Sequence, residues 1–467
     1  MKTPARWLGE SIADEFADAQ LGDRRRTVRL QQVAEALARR PSVGFPQVFP
    51  AEADLEAFYR LLRNEAVQLD NVVEPHLEAT AQRAEEYGAC LVLHDTTTFK
   101  FGGATRREGL GHTASKAQGF LAHVALAVGL DEVPTPLGVL GVDTLVRKGS
   151  KGGRKRKTKA VPPKESQRWT RMVEAVQGRA AERFECIHVM DREADFIGLL
   201  RCLEQVEARY VIRAARNRSV TDTEYANLAE LVADLKPRAR RTARIAPRGE
   251  GLNPTMSATH PPREGREVKL GIAGISVNLR ASDRGEPFAT NIVRVWELNP
   301  PRGEEPIDWL LMTSEPISTA EELAAVVDYY RARWMIEEYF KSLKSGCIFE
   351  KRQLESLHTL TVALGAFIPI AWRLLLVRAV ARGAPKRKAN TFLRGPELFL
   401  VARRAGVSPQ RLTAAQACAE IARMGGHLKN NGEPGWLVLS RGYQDLLLLA
   451  RGWTEAMAAV QAEPIGH

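Results

Sequence analysis

The segment Y-R-A-R-W-M-I-E-E-Y-F-K-S-L-K, residues 330–344, combines acids, bases and aromatic residues at spacings that could place several of them together. On an ideal helix of about 100° per residue, four polar side chains share one stripe about 60° wide: Tyr330, Arg333, Glu337 and Lys344. The opposite face is apolar and is predicted to face the core: Met335, Tyr339 and Leu343. Glu338 falls off the polar stripe. Glu337 is therefore either half of a solvated ion pair with Arg333 or a group held between cations for chemistry.

Two aspartates follow apolar runs that are typical of buried strands. Asp95 follows C-L-V-L-H, and Asp191 follows C-I-H-V-M. Active-site carboxylates often lie at strand ends, where a rigid element meets an open loop. Each aspartate alone is more often a helix cap than a site residue. Together with Glu337 they form a set of three carboxylates, and oxygen ligands of this kind suit Mg²⁺.

The N-terminal part of the chain, residues 1–70, is predicted to be helical and basic. Asp23 is a plausible N-cap, and the apolar positions after it follow a helical spacing: Val28, Leu30, Val33 and Leu37. The first turns carry four arginines: Arg24, Arg25, Arg26 and Arg29. Cations at this end oppose the helix dipole, so a surface that contacts DNA phosphate explains them better than local stability does.

Residues 71–372 alternate between strand and helix patterns, which predicts an α/β fold. The runs F-L-A-H-V-A-L-A-V-G-L and L-G-V-L-G-V-D-T-L-V are expected to form an antiparallel meander. The loop 147–159 holds eight Lys or Arg residues and is expected to be disordered. A β-rich insertion is predicted at about 220–310. Residues 373–467 are predicted to form a helical C-terminal domain.

Composition narrows the class of protein. The net charge of +11 over 467 residues favours a polyanionic partner. Five scattered cysteines indicate a reducing compartment and argue against a disulfide framework or a structural zinc site. The apolar run A-L-G-A-F-I-P-I-A-W is interrupted by Arg373 and is too short for a membrane span. The sequence therefore predicts a cytoplasmic protein without a membrane partner.

The order H-D-T-T-T-F, D-R-E-A-D and Y-x-x-R-x-x-x-E-x-x-x-x-x-x-K resembles the DDE transposases of the insertion-sequence-four superfamily. The resemblance covers nearly the whole chain, and L-G-D-R-R-R-T-V-R-L and N-P-P-R-G-E-E-P-I-D-W-L-L-M-T-S-E-P extend it. It implies an RNase H-like catalytic core with Asp95, Asp191 and Glu337 as the catalytic, metal-binding triad. The implied cofactor is a pair of Mg²⁺ ions, for which Mn²⁺ can substitute. The residues implied to bind DNA are Tyr330, Arg333, Lys344 and Arg213, with Trp309 stacking on a displaced base.

The same resemblance implies cut-and-paste transposition with hairpin intermediates. The expected partners are transposon-end DNA, which the N-terminal helices recognise, and target DNA. A homodimer joined through residues 373–467 is expected in the DNA complex, in a bacterial cytoplasm and at the nucleoid. Two alternatives stay open: a regulator that binds ends without cutting, and another RNase H-like nuclease. The loop 147–159 is longer and more basic than the resemblance leads us to expect.

Overall fold

The computed structural model describes the following residues: 11–103, 105–113, 117–131, 133–147, 165–245, 247, 262–280 and 286–462. Almost all of the predicted basic loop, 148–159, lies outside these ranges. The chain divides into two compact units. Unit 1 comprises Met1–Arg168, Gly178–Glu185 and Trp334–His467, and unit 2 comprises Trp169–Gln177 and Cys186–Arg333.

In the described residues, α-helices precede the first strand and follow the last strand, and strands with a few helices lie between them. The strands are β1 (Ala89–Phe101), β2 (Gly111–His112), β3 (Gln118–Gly129), β4 (Thr135–Leu145), β5 (Glu185–Met190), β6 (Arg209–Arg213), β7 (Val220–Thr221), β8 (Ala239–Ile245), β9 (Arg266–Leu279), β10 (Phe288–Glu297) and β11 (Asp308–Thr313). The helices are α1 (Arg24–Arg39), α2 (Phe45–Val48), α3 (Glu52–Arg63), α4 (Leu69–Tyr87), α5 (Gln167–Ala180), α6 (Ile197–Gln205), α7 (Leu228–Ala233), α8 (Ala320–Ala332), α9 (Trp334–Lys341), α10 (Leu357–Gly383), α11 (Gly395–Arg404), α12 (Ala414–Met424) and α13 (Trp436–Ala462). The α/β class and the helical N- and C-terminal regions are confirmed.

The N-terminal helices pack inside unit 1. Asp23 is the N-cap of α1, as predicted, and its carboxylate accepts the backbone N–H of Arg25 at 2.9 Å. Leu30, Val33 and Leu37 are buried, but Val28 is 44% exposed, so its assignment to the apolar stripe was wrong. The helix α1 packs on α10 and α13, so residues 1–70 share a core with the C-terminal helices.

The strands of unit 1 form the predicted antiparallel meander. β1 pairs with β3 from Cys90 opposite Gly129 to Phe101 opposite Gln118, and β3 pairs with β4 on its other side. α4 packs on β1, β3 and β4, and α10 packs on β4. The apolar first half of β1 is buried, whereas its polar second half alternates between more and less exposed residues.

The helix α10 forms the centre of unit 1. All residues from Thr359 to Val377 are buried, and they include Arg373. By length and composition α10 could cross a membrane, but its most apolar part is entirely buried within the protein, as in the core helix of a soluble protein. The prediction that the apolar run is too short for a membrane span was wrong as to length, because the helix continues through Arg373 to Gly383. The predicted domain boundary at 372–373 therefore falls inside this buried helix.

Unit 2 is built around a mixed sheet. β5 and β6 are parallel and are connected by α6, while the path β6-β11-β10-β9 is antiparallel. β7 and β8 both pair with β9, which gives the predicted β-rich insertion, and β10 and β11 form an antiparallel hairpin before the glutamate-bearing segment. One face of this sheet buries a core shared with α6 and α7, in which Met190, Leu203 and Ile292 are fully enclosed.

Candidate active site

Asp95 lies in the middle of β1 rather than at its end. The strand continues six residues further, to Phe101, because T-T-T-F-K-F keeps the two-residue alternation of a strand. The prediction of a strand-end carboxylate was therefore wrong for Asp95. The side chain is half-buried, and its Oδ1 accepts the N–H of Thr96 at 2.7 Å.

Asp191 follows β5 directly, as predicted for a strand-end carboxylate. It is also the N-cap of a short 3₁₀ helix, Arg192–Ala194, and its Oδ1 accepts the N–H of Glu193 at 2.9 Å. The capping role and a ligand role are compatible, because an ionised carboxylate has about four acceptor sites and the cap uses one.

Asp195, the second aspartate of D-R-E-A-D, has a structural role that the sequence reasoning missed. Its side chain is buried and accepts the N–H groups of Ala215 at 2.7 Å and Arg216 at 2.8 Å. It also accepts the Nε–H of Arg218 at 3.0 Å. These bonds hold the loop after β6. The only signal for this role in the sequence was that D-R-E-A-D contains a second aspartate.

The segment 330–344 is not one regular helix. At Arg333, between α8 and α9, the N–H bonds to the carbonyl of Tyr330, three residues back, at 3.1 Å. Residues Ser342–Gly346 form a π-helical turn, closed by the N–H of Cys347 on the carbonyl of Ser342 at 2.8 Å. A uniform 100° per residue therefore does not hold across the segment. Single π-helical turns of this kind occur frequently at functional sites.

The two adjacent glutamates have different surroundings. Glu338 pairs with Lys341 at 2.7 Å, with Arg382 at 3.4 Å and with Arg378 at 3.9 Å. Although burial opposes ionisation of Glu338, these cations keep its pKa below the usual value. Glu338 thus ties α9 to α10. Glu337 is half-buried on α9, and α9 packs on β1, the strand that carries Asp95.

The ammonium group of Lys344 forms a hydrogen bond within the protein. Its Nζ donates to the carbonyl oxygen of Thr98 at 2.8 Å and lies 5.5 Å from the centre of the Phe99 ring. Burial lowers the pKa of Lys344, while the negative charges of Glu350 and Asp95 act in the opposite direction. Lys344 therefore connects the π-helical turn to β1, three residues from Asp95.

Three predicted DNA-contact residues form one cluster in unit 2. The guanidinium of Arg213 lies 5.5 Å over the Trp309 ring, and Tyr330 meets Trp309 edge-to-face at 5.6 Å. Trp309 is only partly buried on β11, whereas Tyr330 is only 7% exposed. Tyr330 therefore does not lie on a solvent-facing polar stripe.

The three triad carboxylates belong to two different units. Asp95 and Glu337 lie in unit 1, and Asp191 lies in unit 2. Within either unit, as far as the structure describes it, no three His, Cys, Asp or Glu side chains lie close enough to hold a metal ion. The donor type itself fits a hard divalent cation, since every predicted ligand is a carboxylate and both aspartates are oriented by a backbone N–H.

The N-terminal arginines are less available than the helix-dipole argument suggested. Arg25 pairs with the N-cap Asp23 at 2.9 Å, Arg26 donates to the carbonyl of Leu21 at 2.8 Å, and Arg29 pairs with Asp54 at 3.3 Å. Local structure therefore explains part of their placement. The Arg25 side chain is nevertheless 91% exposed, and Arg24 is exposed too.

Two families of known domains match this chain. Residues 9–67 match the family described as Transposase DNA-binding, close to the predicted domain 1–70. Residues 163–368 match the Transposase DDE domain, a range that contains Asp191 and Glu337 and begins after Asp95. The two matches support a DDE transposase that carries its own DNA-binding domain.

Among solved structures, this chain is similar to the piggyBac transposase in a synaptic complex with hairpin DNA. The similarity covers 83% of this chain and 77% of that chain, at 11% sequence identity and a TM-score of 0.37. A similarity of this size does not establish a shared fold.

Proposed function

We propose that this protein is a DDE transposase of the insertion-sequence-four superfamily that moves its element by a cut-and-paste route. The observation that carries the proposal is that α9 packs on β1: α9 bears Glu337 and β1 bears Asp95. Asp191 lies within the range that matches the Transposase DDE domain. A single strand and a single helix thus bring two of the three predicted carboxylates into one unit.

Asp95, Asp191 and Glu337 would hold two Mg²⁺ ions, with Mn²⁺ as a substitute. Such ions, when bound, stabilise charge on the attacking and leaving oxygens of a phosphodiester. The protein's own contribution is orientation. Asp95 and Asp191 each give one oxygen to a backbone N–H, which limits rotation of the carboxylate. Lys344 ties the segment that follows Glu337 to β1.

The DNA steps that we propose are a nick by water at each transposon end, attack of the new 3′-OH on the opposite strand, opening of the resulting hairpin by water, and joining of the 3′ ends to target DNA. Trp309 would stack on the base that leaves the duplex in the hairpin. The partial exposure of its ring and the Arg213 guanidinium beside it support this role, because stacking on an aromatic face recovers part of the cost of unstacking. Arg333 is proposed to contact the same DNA, and the buried Tyr330 to act on it through its edge-to-face contact with Trp309 at 5.6 Å.

Recognition of the transposon end is proposed for α1, with Arg24 and Arg25 as the exposed contacts. Deleting the N-terminal helices would not test this, because Leu30, Val33 and Leu37 belong to the core of unit 1. The variant Arg24→Ser/Arg25→Ser should instead weaken binding of end DNA, measured by gel shift, with an unchanged melting temperature. Such an activity would place the protein in the cytoplasm, at the bacterial nucleoid.

A homodimer through the C-terminal helices is supported by the end of α13. Residues 451–461 are all exposed, and three apolar side chains recur there at helical spacing: Trp453 at 39%, Met457 at 43% and Val460 at 69% exposure. Trp453 also packs against the exposed Phe399, with the two ring centres 5.1 Å apart and the planes tilted by 37°. We propose a second copy as the occupant of this stripe. Met457→Asp/Val460→Asp should then yield monomers by light scattering in the presence of end DNA.

The central test is strand cleavage. Asp95→Asn, Asp191→Asn and Glu337→Gln should each abolish nicking of end DNA in Mg²⁺ while leaving end binding within about twofold, because each removes charge without much volume. Glu321→Gln, an exposed glutamate in the first turn of α8, is the matched control and should nick normally. A wild-type protein that binds ends but never nicks would favour the regulator over the enzyme. A Glu337→Gln protein that nicks at the wild-type rate would remove Glu337 from the site.

A further inference from the structure

The exposed side of β8 carries two arginines that are four positions apart. Along A-R-R-T-A-R-I, the residues Arg240, Thr242 and Arg244 are exposed, and they lie on one face because side chains alternate along a strand. Arg241 points to the other face, where it pairs with Asp328 at 2.6 Å. The face that bears Arg240 and Arg244 is therefore distinct from the face that supports α8.

The neighbouring strand adds a third cation to this face. β8 pairs antiparallel with β9, and this register sets Thr242 opposite the exposed Lys269. Along the strands, Arg240, Lys269 and Arg244 therefore follow one another in two-residue steps of about 6.6 Å. We call these three residues the basic ladder. Its geometry is that of a row of cations along which a phosphate backbone can lie.

The three cations of the basic ladder have no acidic or hydrogen-bond partner among the described residues. Seven other arginines in the described part of unit 2 pair with an acidic side chain: Arg201, Arg209, Arg218, Arg241, Arg266, Arg294 and Arg331. Glu267 is the register partner of Arg244 and is the acid on this face. A cluster of cations without acidic partners attracts a polyanion.

An aromatic side chain borders the ladder. Trp296 on β10 lies opposite Gly271 on β9, which in turn lies opposite Arg240. A Cβ at Gly271 would lie 2.8 Å from the Leu298 side chain and 3.1 Å from the indole, so both side chains cover this glycine closely. The guanidinium of Arg294 lies 5.0 Å over the same ring. Cations beside an aromatic face are typical of surfaces that bind nucleic acid.

Charged residues on an edge strand can also serve only to prevent aggregation. This explanation covers Arg240 and Arg244, since β8 pairs only with β9 among the described strands. It does not cover Lys269, because β9 is an interior strand that pairs with β7, β8 and β10. The basic ladder thus extends beyond the edge that such charges would protect.

We infer that the β-rich insertion has a DNA-binding surface of its own, in which Arg240, Lys269 and Arg244 contact successive phosphates. The inference rests on the proposed function as a DNA transposase and assigns a task to a segment that the catalytic triad does not use. Because phosphate contacts carry no sequence information, this surface would hold duplex DNA of any sequence, as target DNA requires.

The test uses full-length protein and a duplex of arbitrary sequence without transposon ends. Arg240→Ser/Arg244→Ser/Lys269→Ser should lower the slope of log affinity against log salt by about 2–3, at about 0.9 per lost phosphate contact, and weaken binding at least tenfold at low salt. Arg411→Ser/Lys429→Ser/Arg441→Ser is the control, since these exposed cations of unit 1 remove the same charge. The control should change the slope by less than one.

A second readout does not depend on charge removal. All five native cysteines are buried, so Thr242→Cys can be labelled selectively with a fluorophore. Duplex DNA should change the fluorescence at residue 242 and not at a label on the exposed Ser408→Cys. An unchanged signal at 242, or equal slope changes in both triple variants, overturns the inference. A wild-type protein without salt-dependent DNA binding would instead overturn the proposed function.

Discussion

Lys344→Met distinguishes two roles for the lysine that ends the Y-x-x-R-x-x-x-E-x-x-x-x-x-x-K motif. If Lys344 contacts phosphate, the variant should bind DNA more weakly and its salt slope should fall by about 0.9. If Lys344 chiefly connects the π-helical turn to β1, affinity and slope should stay unchanged and cleavage should slow. The bond from Nζ to the Thr98 carbonyl at 2.8 Å favours the second outcome.

The size of the effect follows from the contacts that the variant loses. A hydrogen bond from a charged donor contributes about 1.5–3 kcal/mol. The lowered pKa shows that burial of the ammonium opposes this gain, and methionine retains the packing against Phe99. We therefore expect the free energy of unfolding to fall by about 1 kcal/mol or less. Cleavage should fall about 100-fold, because a misplacement of about 1 Å at a reacting site has an effect of this order.

The assay measures single-turnover nicking of end DNA, end affinity across a salt series, and the melting temperature. Lys341→Met is the matched control, since Lys341 lies on the same segment and pairs with Glu338 at 2.7 Å without contacting β1 through any described bond. Hydrogen exchange at residues 95–99 should be faster in Lys344→Met only. Normal cleavage combined with weaker, less salt-dependent binding would refute the reasoning.

Three further predictions follow from the packing. Trp309→Ala should unfold within a few degrees of the wild type and accumulate nicked DNA instead of hairpins on a denaturing gel, because the ring is only partly buried; a large drop in melting temperature with uniform loss of activity would contradict this. Glu15→Gln should destabilise the protein at pH 7, since Glu15 is buried, bonds to Arg83 and to His76 at 2.5 Å, and has its pKa lowered to about 2. A folded pKa below the usual 4.5 contributes stability above pH 4.5 that is lost towards pH 2, so the difference in melting temperature should shrink over that range, and a constant difference would contradict it. A protein truncated after residue 372 should fail to fold by circular dichroism, because the cut divides the buried helix α10, and a cooperative melting transition in that fragment would show otherwise.

Much of the local structure of this protein is determined by its sequence alone. The apolar run before Asp95 predicts β1, the Asp23 cap predicts the start of α1, and the strand patterns at 120–130 and 137–146 predict the antiparallel strands β3 and β4, because each depends on the spacing of residues within one element. The choice of Glu337 over Glu338 also came from spacing. In the structure, Glu338 pairs with three cations, whereas the choice of Glu337 stays a prediction.

The partners of individual side chains were decided by tertiary structure. Lys344 meets the carbonyl of a residue 246 positions away, and Glu338 meets two arginines on α10, so no helical wheel could place either one. The regular wheel failed for a related reason: packing accommodates an i–3 bond at Arg333 and a π-helical turn at Ser342–Gly346, and both change the direction of every later side chain. Periodicity reports which side of an element is apolar, whereas the group that a polar side chain meets depends on the folded path of the whole chain.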